Sequence, residues 1–239
     1  PVAFFFNNPL RNHKLDSIVP SSPMSREARR GRGVQGASPF MKSKPGLWRT
    51  ISGVAAAGLL ALAGCESDGG GHLGDGHDFG PNNPDLLVAF GDSITAGSGL
   101  ADPGSEAYSV KLAGMLGKTV VNRGYPGASS YEGLDRIYSI LDDTRPGFLL
   151  ILFGVNDLIM GYGEEAAADN LRIMIQACRD NKTIPVVATL TPVFGSYRAL
   201  SSGVRRLNDS INQLCSDLDV PRVDLSGAFE DNPVYLLED

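Results

Sequence analysis

The stretch Leu86-Leu-Val-Ala-Phe-Gly-Asp-Ser-Ile-Thr-Ala-Gly97 decides how this chain is read. Its first five residues are apolar with no polar alternation, the pattern of a strand buried on both faces. The run breaks at Gly91-Asp92-Ser93, residue types that favour a turn or a helix start over a continuing strand. Four more short runs repeat this pattern downstream: Thr119–Asn122, Phe148–Phe153, Ile184–Thr189 and Arg222–Asp224. Between them Tyr108–Leu116, Tyr131–Leu141, Glu164–Asn181 and Ser202–Leu218 carry apolar residues at helical spacing, as in Leu171, Met174, Ile175 and Cys178. Strands alternating with helices predict an α/β fold over residues 86–239: a doubly wound, flavodoxin-like, five-stranded and mainly parallel sheet between helices.

In such sheets ligands bind beyond the carboxyl ends of the strands, so the loops there are where chemistry is sought. Three stand out. Gly91-Asp-Ser93 places a hydroxyl and its own backbone N–H at a strand-to-helix junction. Asn122-Arg-Gly-Tyr-Pro-Gly127-Ala-Ser-Ser130 offers the Gly127 N–H, which no Cβ keeps from a substrate oxygen. Gly154-Val-Asn156-Asp157 offers a carboxamide N–H to developing negative charge. Taken singly, each is equally a cap or a turn. Asp92 and Asp157 are expected to hold loops.

Taken as an ordered set, Gly-Asp-Ser, a lone loop glycine and Gly-x-Asn-Asp, each after an apolar strand, resemble the GDSL or SGNH hydrolase family, and within it small bacterial periplasmic thioesterase/lysophospholipases and arylesterases. The resemblance implies a three-layer α/β/α SGNH fold and a serine ester hydrolase working on carboxylic esters or thioesters through an acyl-serine intermediate. It makes Ser93 the nucleophile, and the Ser93 N–H, the Gly127 N–H and the Asn156 side chain the oxyanion hole. Neither cofactor nor metal is implied. The family closes on Asp-x-x-His, whose His is the general base. Here the sequence ends Pro233-Val-Tyr-Leu-Leu-Glu-Asp239 and has no histidine after His77. Asp239 is therefore expected to be the triad aspartate of an interrupted motif, and residues 1–239 alone are expected to be inactive. His72 and His77 precede the first strand and are expected not to substitute. After the fourth strand Val193, Phe194 and Tyr197 are expected to line an apolar acyl or aryl pocket. Two alternatives stay open: a carbohydrate O-acetylesterase of the same fold, disfavoured because the single Trp48 lies upstream of the domain, and an inactive envelope lipoprotein that only binds.

Residues before the domain read as address. Residues 1–40 are basic and rich in Pro, Gly and Ser, and are expected to be a disordered or non-native leader. From Met41, Lys42, Lys44 and Arg49 precede the apolar run Ile51–Ala63 and then Gly64-Cys65. The run is too short to span a bilayer, and Leu62-Ala-Gly-Cys65 resembles a bacterial lipobox, which makes residues 41–64 a lipoprotein signal peptide and Cys65 the lipidated mature N-terminus. Residues 65–85, rich in Gly and Asp, are expected to be a flexible tether. The expected location is the envelope of a bacterium, with a lipid anchor in the membrane and a small-molecule ester as the other partner. Residues 1–64 hold nine Lys/Arg and two acidic residues, which leaves 12 basic and 25 acidic residues elsewhere and argues against nucleic acid. Cys178 and Cys215 are expected either to pair or to stay separate buried thiols.

Overall fold

Parallel strands cannot be joined by a hairpin, so each must be followed by a crossover over one face of the sheet. The computed structural model describes residues 73–229. The elements run β1 (Asn83–Gly91), α1 (Ser93–Ala96), α2 (Pro103–Glu106), α3 (Tyr108–Leu116), β2 (Thr119–Asn122), α4 (Ser130–Thr144), β3 (Pro146–Leu152), α5 (Val155–Ile159), α6 (Gly163–Asp180), β4 (Ile184–Ala188), a 3-10 turn (Gly195–Leu200), α7 (Ser201–Asp217), β5 (Arg222–Val223) and α8 (Leu225–Phe229). The strand order is β2-β1-β3-β4-β5 and every pairing is parallel. Steps from β2 to β3, β4 and β5 all move in one direction, so right-handed crossovers line α4, α6 and α7 along one face, where α4 packs on α6 and α6 on α7. The step from β1 to β2 runs the other way and takes α3 to the opposite face.

The apolar runs of the three central strands are buried as their lack of alternation requires, while β2 at the sheet's edge is half-buried. All of β3 is buried, as are Val88, Ala89, Phe90 and all of β4. Leu171, Met174, Ile175 and Cys178 form the buried stripe of α6, and Val204, Leu207, Ile211, Leu214 and Cys215 that of α7. At roughly 25 cal/mol per Å² of apolar surface removed from water, these stripes and the central strands dominate the favourable side of folding. The two cysteines are free and buried apart, and burial pushes the Cys178 thiol well up and the Cys215 thiol to about 11, so both stay protonated and unreactive.

The main difference from the sequence reading is at the domain's start. β1 begins at Asn83, not Leu86, and residues before it are fastened to the amino ends of β3 and β4. The Phe79 ring lies 5.6 Å from that of Phe148. His77 Nε2 is 3.1 Å from Lys182 O, and Asp78 pairs with Lys182. Asn82 is buried, and its Nδ2 donates to Asn181 O and Thr183 Oγ1, while Thr183 Oγ1 donates to Pro146 O. Composition alone marked residues 65–85 as a tether. What composition does not show is that polar groups at a sheet's lower rim need partners, and that this segment supplies them. The expectations for the leader, the signal peptide, Trp48, Cys65, His72 and Asp239 lie outside the described residues.

Asn82→Ala is therefore expected to lower the free energy of unfolding by ~1–3 kcal/mol, since it strips partners from buried groups. Urea denaturation measures this; a change within error would return the segment to the status of a tether.

Candidate active site

Each strand of the β2-β1-β3 set ends in one of the three loops singled out above, and interleaved hydrogen bonds hold the loops together. Asp92 caps α1: its Oδ1 accepts from the Ile94 N–H at 2.9 Å. Ser93 is the first residue of that helix and is half-buried, and its Oγ enters no hydrogen bond among the described residues. α1 has only four residues, so its contribution at Ser93 is the uncommitted N–H of its first turn and not a summed dipole.

Backbone bonds from Arg123 N to Ala89 O and from Tyr125 N to Gly91 O lace the second loop to β1. Asn122 does more than end its strand. Its Nδ2 donates to Thr95 O at 2.6 Å and to Ser109 Oγ at 3.0 Å, and its Oδ1 accepts from the Gly124 N–H at 2.9 Å, so one side chain ties the second loop to the helix that carries Ser93. Gly124 is a glycine for lack of space: a Cβ there would stand 2.1 Å from Ala96 N. Gly127 is a glycine for its backbone conformation. Its φ is +80°, in the left-handed region that favours glycine, and it is exposed with no protein atom within 4 Å of where a Cβ would stand.

The third loop supplies the bridge. Asn156 is buried, and its Nδ2 donates to Ala128 O at 2.9 Å and lies 3.4 Å from Asp92 Oδ2. One carboxamide thus contacts the neighbour of Gly127 and the neighbour of Ser93. Its N–H toward Ala128 is well made, whereas the long approach to Asp92 leaves the second N–H weakly held. Asp157 faces the other way, accepting from Ser130 N at 2.9 Å and Ser130 Oγ at 2.6 Å, while Asn170 Nδ2 donates to that same Ser130 Oγ at 2.8 Å. A capping box of Ser129 and Glu132 completes the start of α4. The loop-holding roles expected of Asp92 and Asp157 match this geometry.

Ser93, Gly127 and Asn156 therefore share one edge of the sheet. Val193 and Phe194 are half-buried beyond the carboxyl end of β4, with Val193 packed on the core, and Tyr197 is exposed in the 3-10 turn. His77 stands at the opposite, amino edge. Asn122 was missed by sequence reasoning; an Asn closing an otherwise apolar strand was the available signal.

Comparison with known proteins adds the following. A family model described as the GDSL-like Lipase/Acylhydrolase family matches residues 89–239. Thioesterase 1/protease 1/lysophospholipase L1 of Escherichia coli (strain K12) is 25% identical over 141 residues, 57% of this chain. The match spans 64% of that relative's length, less than two thirds of it. The uncharacterized lipoprotein YqeF of Bacillus subtilis (strain 168) is 28% identical over 196 residues, 70% of this chain and 75% of that one. Among solved structures, AlinE4, an SGNH-hydrolase family esterase, superposes with a TM-score of 0.56 at 25% identity over 67% of this chain and 85% of its own.

Burial raises the Asp92 carboxyl to about 7; the backbone N–H groups of Ile94 and of Asp92 itself oppose the rise, and the Asp157 charge adds to it. The native state then binds this proton between pH ~4 and ~7 where the unfolded chain has released it, so stability falls as pH rises through that window and levels off above it. A rise from 3.8 to about 7 corresponds to at most ~4 kcal/mol. Asp92→Asn, which cannot ionise, is expected to lose less stability than the wild type between pH 4 and pH 8. Urea midpoints at both pH values test this, and parallel declines in the two proteins would place the Asp92 proton elsewhere.

Proposed function

The chain belongs to the GDSL-like lipase/acylhydrolase family, and from that premise we propose that it is a serine hydrolase of carboxylic esters or thioesters. Ser93 Oγ attacks the acyl carbon, the bond to the leaving alcohol or thiol breaks, and water then releases the acid from the acyl-serine. The observation that carries the reading is the Asn156 carboxamide, 2.9 Å from Ala128 O and 3.4 Å from Asp92 Oδ2, which puts a side-chain N–H between the neighbours of Ser93 and Gly127. The second Asn156 N–H turns to the oxyanion as negative charge develops, and the N–H groups of Ser93 and Gly127 complete the hole. Burial keeps Asp92 partly protonated near neutrality, which makes it a weak competitor for that N–H.

A serine hydroxyl needs a base. His77, held against Lys182 O at the amino edge, does not fill that place. Small acyl or aryl esters are the proposed substrates, with lysophospholipids among them, in keeping with the name of the Escherichia coli relative. The half-buried Val193 and Phe194 and the exposed Tyr197 follow β4 and supply apolar surface for an acyl or aryl group.

Location is proposed on separate grounds. The basic residues after Met41, the short apolar run and Leu62-Ala-Gly-Cys65 support a lipid anchor on Cys65 in a bacterial envelope, and one relative is itself named a lipoprotein.

For the full-length gene product, a fluorophosphonate is expected to label the wild type and not Ser93→Ala. Asn156→Ala is expected to lower kcat on p-nitrophenyl butyrate by on the order of 10²-fold with little change in KM. Ser93-independent labelling, or an unchanged kcat in Asn156→Ala, would overturn these assignments. Expressed in a Gram-negative host, the protein is expected to incorporate labelled fatty acid, and Cys65→Ala to abolish it; label that survives the substitution ends the anchor reading.

A further inference from the structure

Arg136 sits in the second turn of α4 and is half-buried. Its Nη1 is buried with no hydrogen-bond partner among the described residues. Glu132 and Asp135 line the same groove with Tyr125, yet no ion pair joins Arg136 to either. Burial holds the guanidinium below its ordinary value; Arg123 nearby adds to that, while Tyr125 and Glu132 oppose it. A half-buried guanidinium with one unmet donor is held by its other contacts.

It touches both sides of the site. Its guanidinium carbon lies 5.4 Å from the centroid of the Phe90 ring and 5.3 Å from that of Tyr125, and its Nη2 donates to Arg123 O at 2.9 Å. Phe90 is buried on β1, three residues before Ser93. Tyr125 is two residues before Gly127, and Arg123 opens the same loop. Up to Tyr125 the loop is held from below by its backbone bonds to Ala89 and Gly91 and by the contact of Gly124 with Ala96. Past Tyr125 the turn is closed by a bond from Ala128 N to Tyr125 O, so the setting of Tyr125 carries over to Gly127. The flat guanidinium fills the space between the two rings and reaches the loop's first carbonyl with one arm, a geometry that the point charge of a lysine does not reproduce.

We propose that Arg136 is a positioning residue: seated between Phe90 and Tyr125 and bonded to Arg123 O, it sets the distance between Ser93 and the Gly127 N–H. This rests on the reading of Gly127 as an oxyanion donor, and it assigns Arg136 no contact with substrate.

The test uses the full-length gene product with Arg136→Ala and Arg136→Lys. Arg136→Ala is expected to lower kcat by ~10- to 100-fold, the scale of a misplacement of about 1 Å, with KM changed less than about twofold, as for a donor used mainly in the transition state. Its urea midpoint is expected to change by no more than the loss of one exposed hydrogen bond and two ring contacts accounts for. Arg136→Lys, which keeps the charge and loses the fork, is expected to recover part of kcat. Independently of turnover, hydrogen exchange in the peptide covering residues 122–129 is expected to quicken in Arg136→Ala, while peptides from β3 and α6 exchange as before. Unchanged exchange at 122–129 overturns the proposal, and so does a kcat that falls only in proportion to lost stability. Faster exchange with kcat unaltered also removes the role while leaving Ser93 in place. Wild-type turnover that survives Ser93→Ala instead overturns the underlying function, and with it any role for Arg136 in that reaction.

Discussion

A parallel sheet imposes one rule on this chain: after every strand the backbone must climb over the sheet and return to the same starting edge. Five strands obeying it collect every strand-to-helix loop at the carboxyl edge and every helix-to-strand loop at the amino edge. The proximity of Ser93, Gly127 and Asn156, which are 34 and 29 residues apart along the chain, follows from the adjacency of β2, β1 and β3 in the strand order. No local feature of any of the three loops produces it. The burial of β3 and β4 is the other half of the same rule, since crossovers cover the faces of the sheet and leave its central strands no contact with water.

That edge is polar although what lies beneath it is not. Asp92, Asn156, Asp157, Ser129 and Ser130 are all buried, and a buried polar group is tolerable only when it is bonded. Their bonds run from loop to loop: Asp157 to the start of α4, Asn156 to both flanking loops, and half-buried Asn122 to α1 and α3. A network closed in this way fixes relative positions better than apolar contact does, because removing one member strands the others. One member is left less than fully matched: Asp92 Oδ2 is 3.4 Å from Asn156 Nδ2.

Much of this was legible in the sequence. Continuous apolar runs marked β1, β3 and β4 because burial on both faces erases alternation, and α3 came out at Tyr108–Leu116 because its period is regular. The one-turn helices α2, α5 and α8 were not read, since four or five residues carry too little periodicity to register. The ordered motifs marked Ser93, Gly127 and Asn156, but not why they hold still. Asn122 and Arg136 make their contacts with residues of other elements, and no spacing announces a contact made across a crossover. The error at residues 73–82 has the same origin: a Gly- and Asp-rich stretch looks unable to fold until the rim it satisfies is known.

That stretch is fastened where the chemistry is not. Phe79 on Phe148, Lys182 gripped by His77 and Asp78, and Asn82 with Thr183 and Asn181 gather at the amino edge, one sheet length from Ser93. A pull arriving along the chain from its N-terminal side meets these clasps first and passes through them into β3 and β4. If they give, the load enters β1 along its length, in shear against β2 and β3 together. The carboxyl edge that carries Ser93 thus lies at the far end of β1 from the point where such a pull enters the sheet.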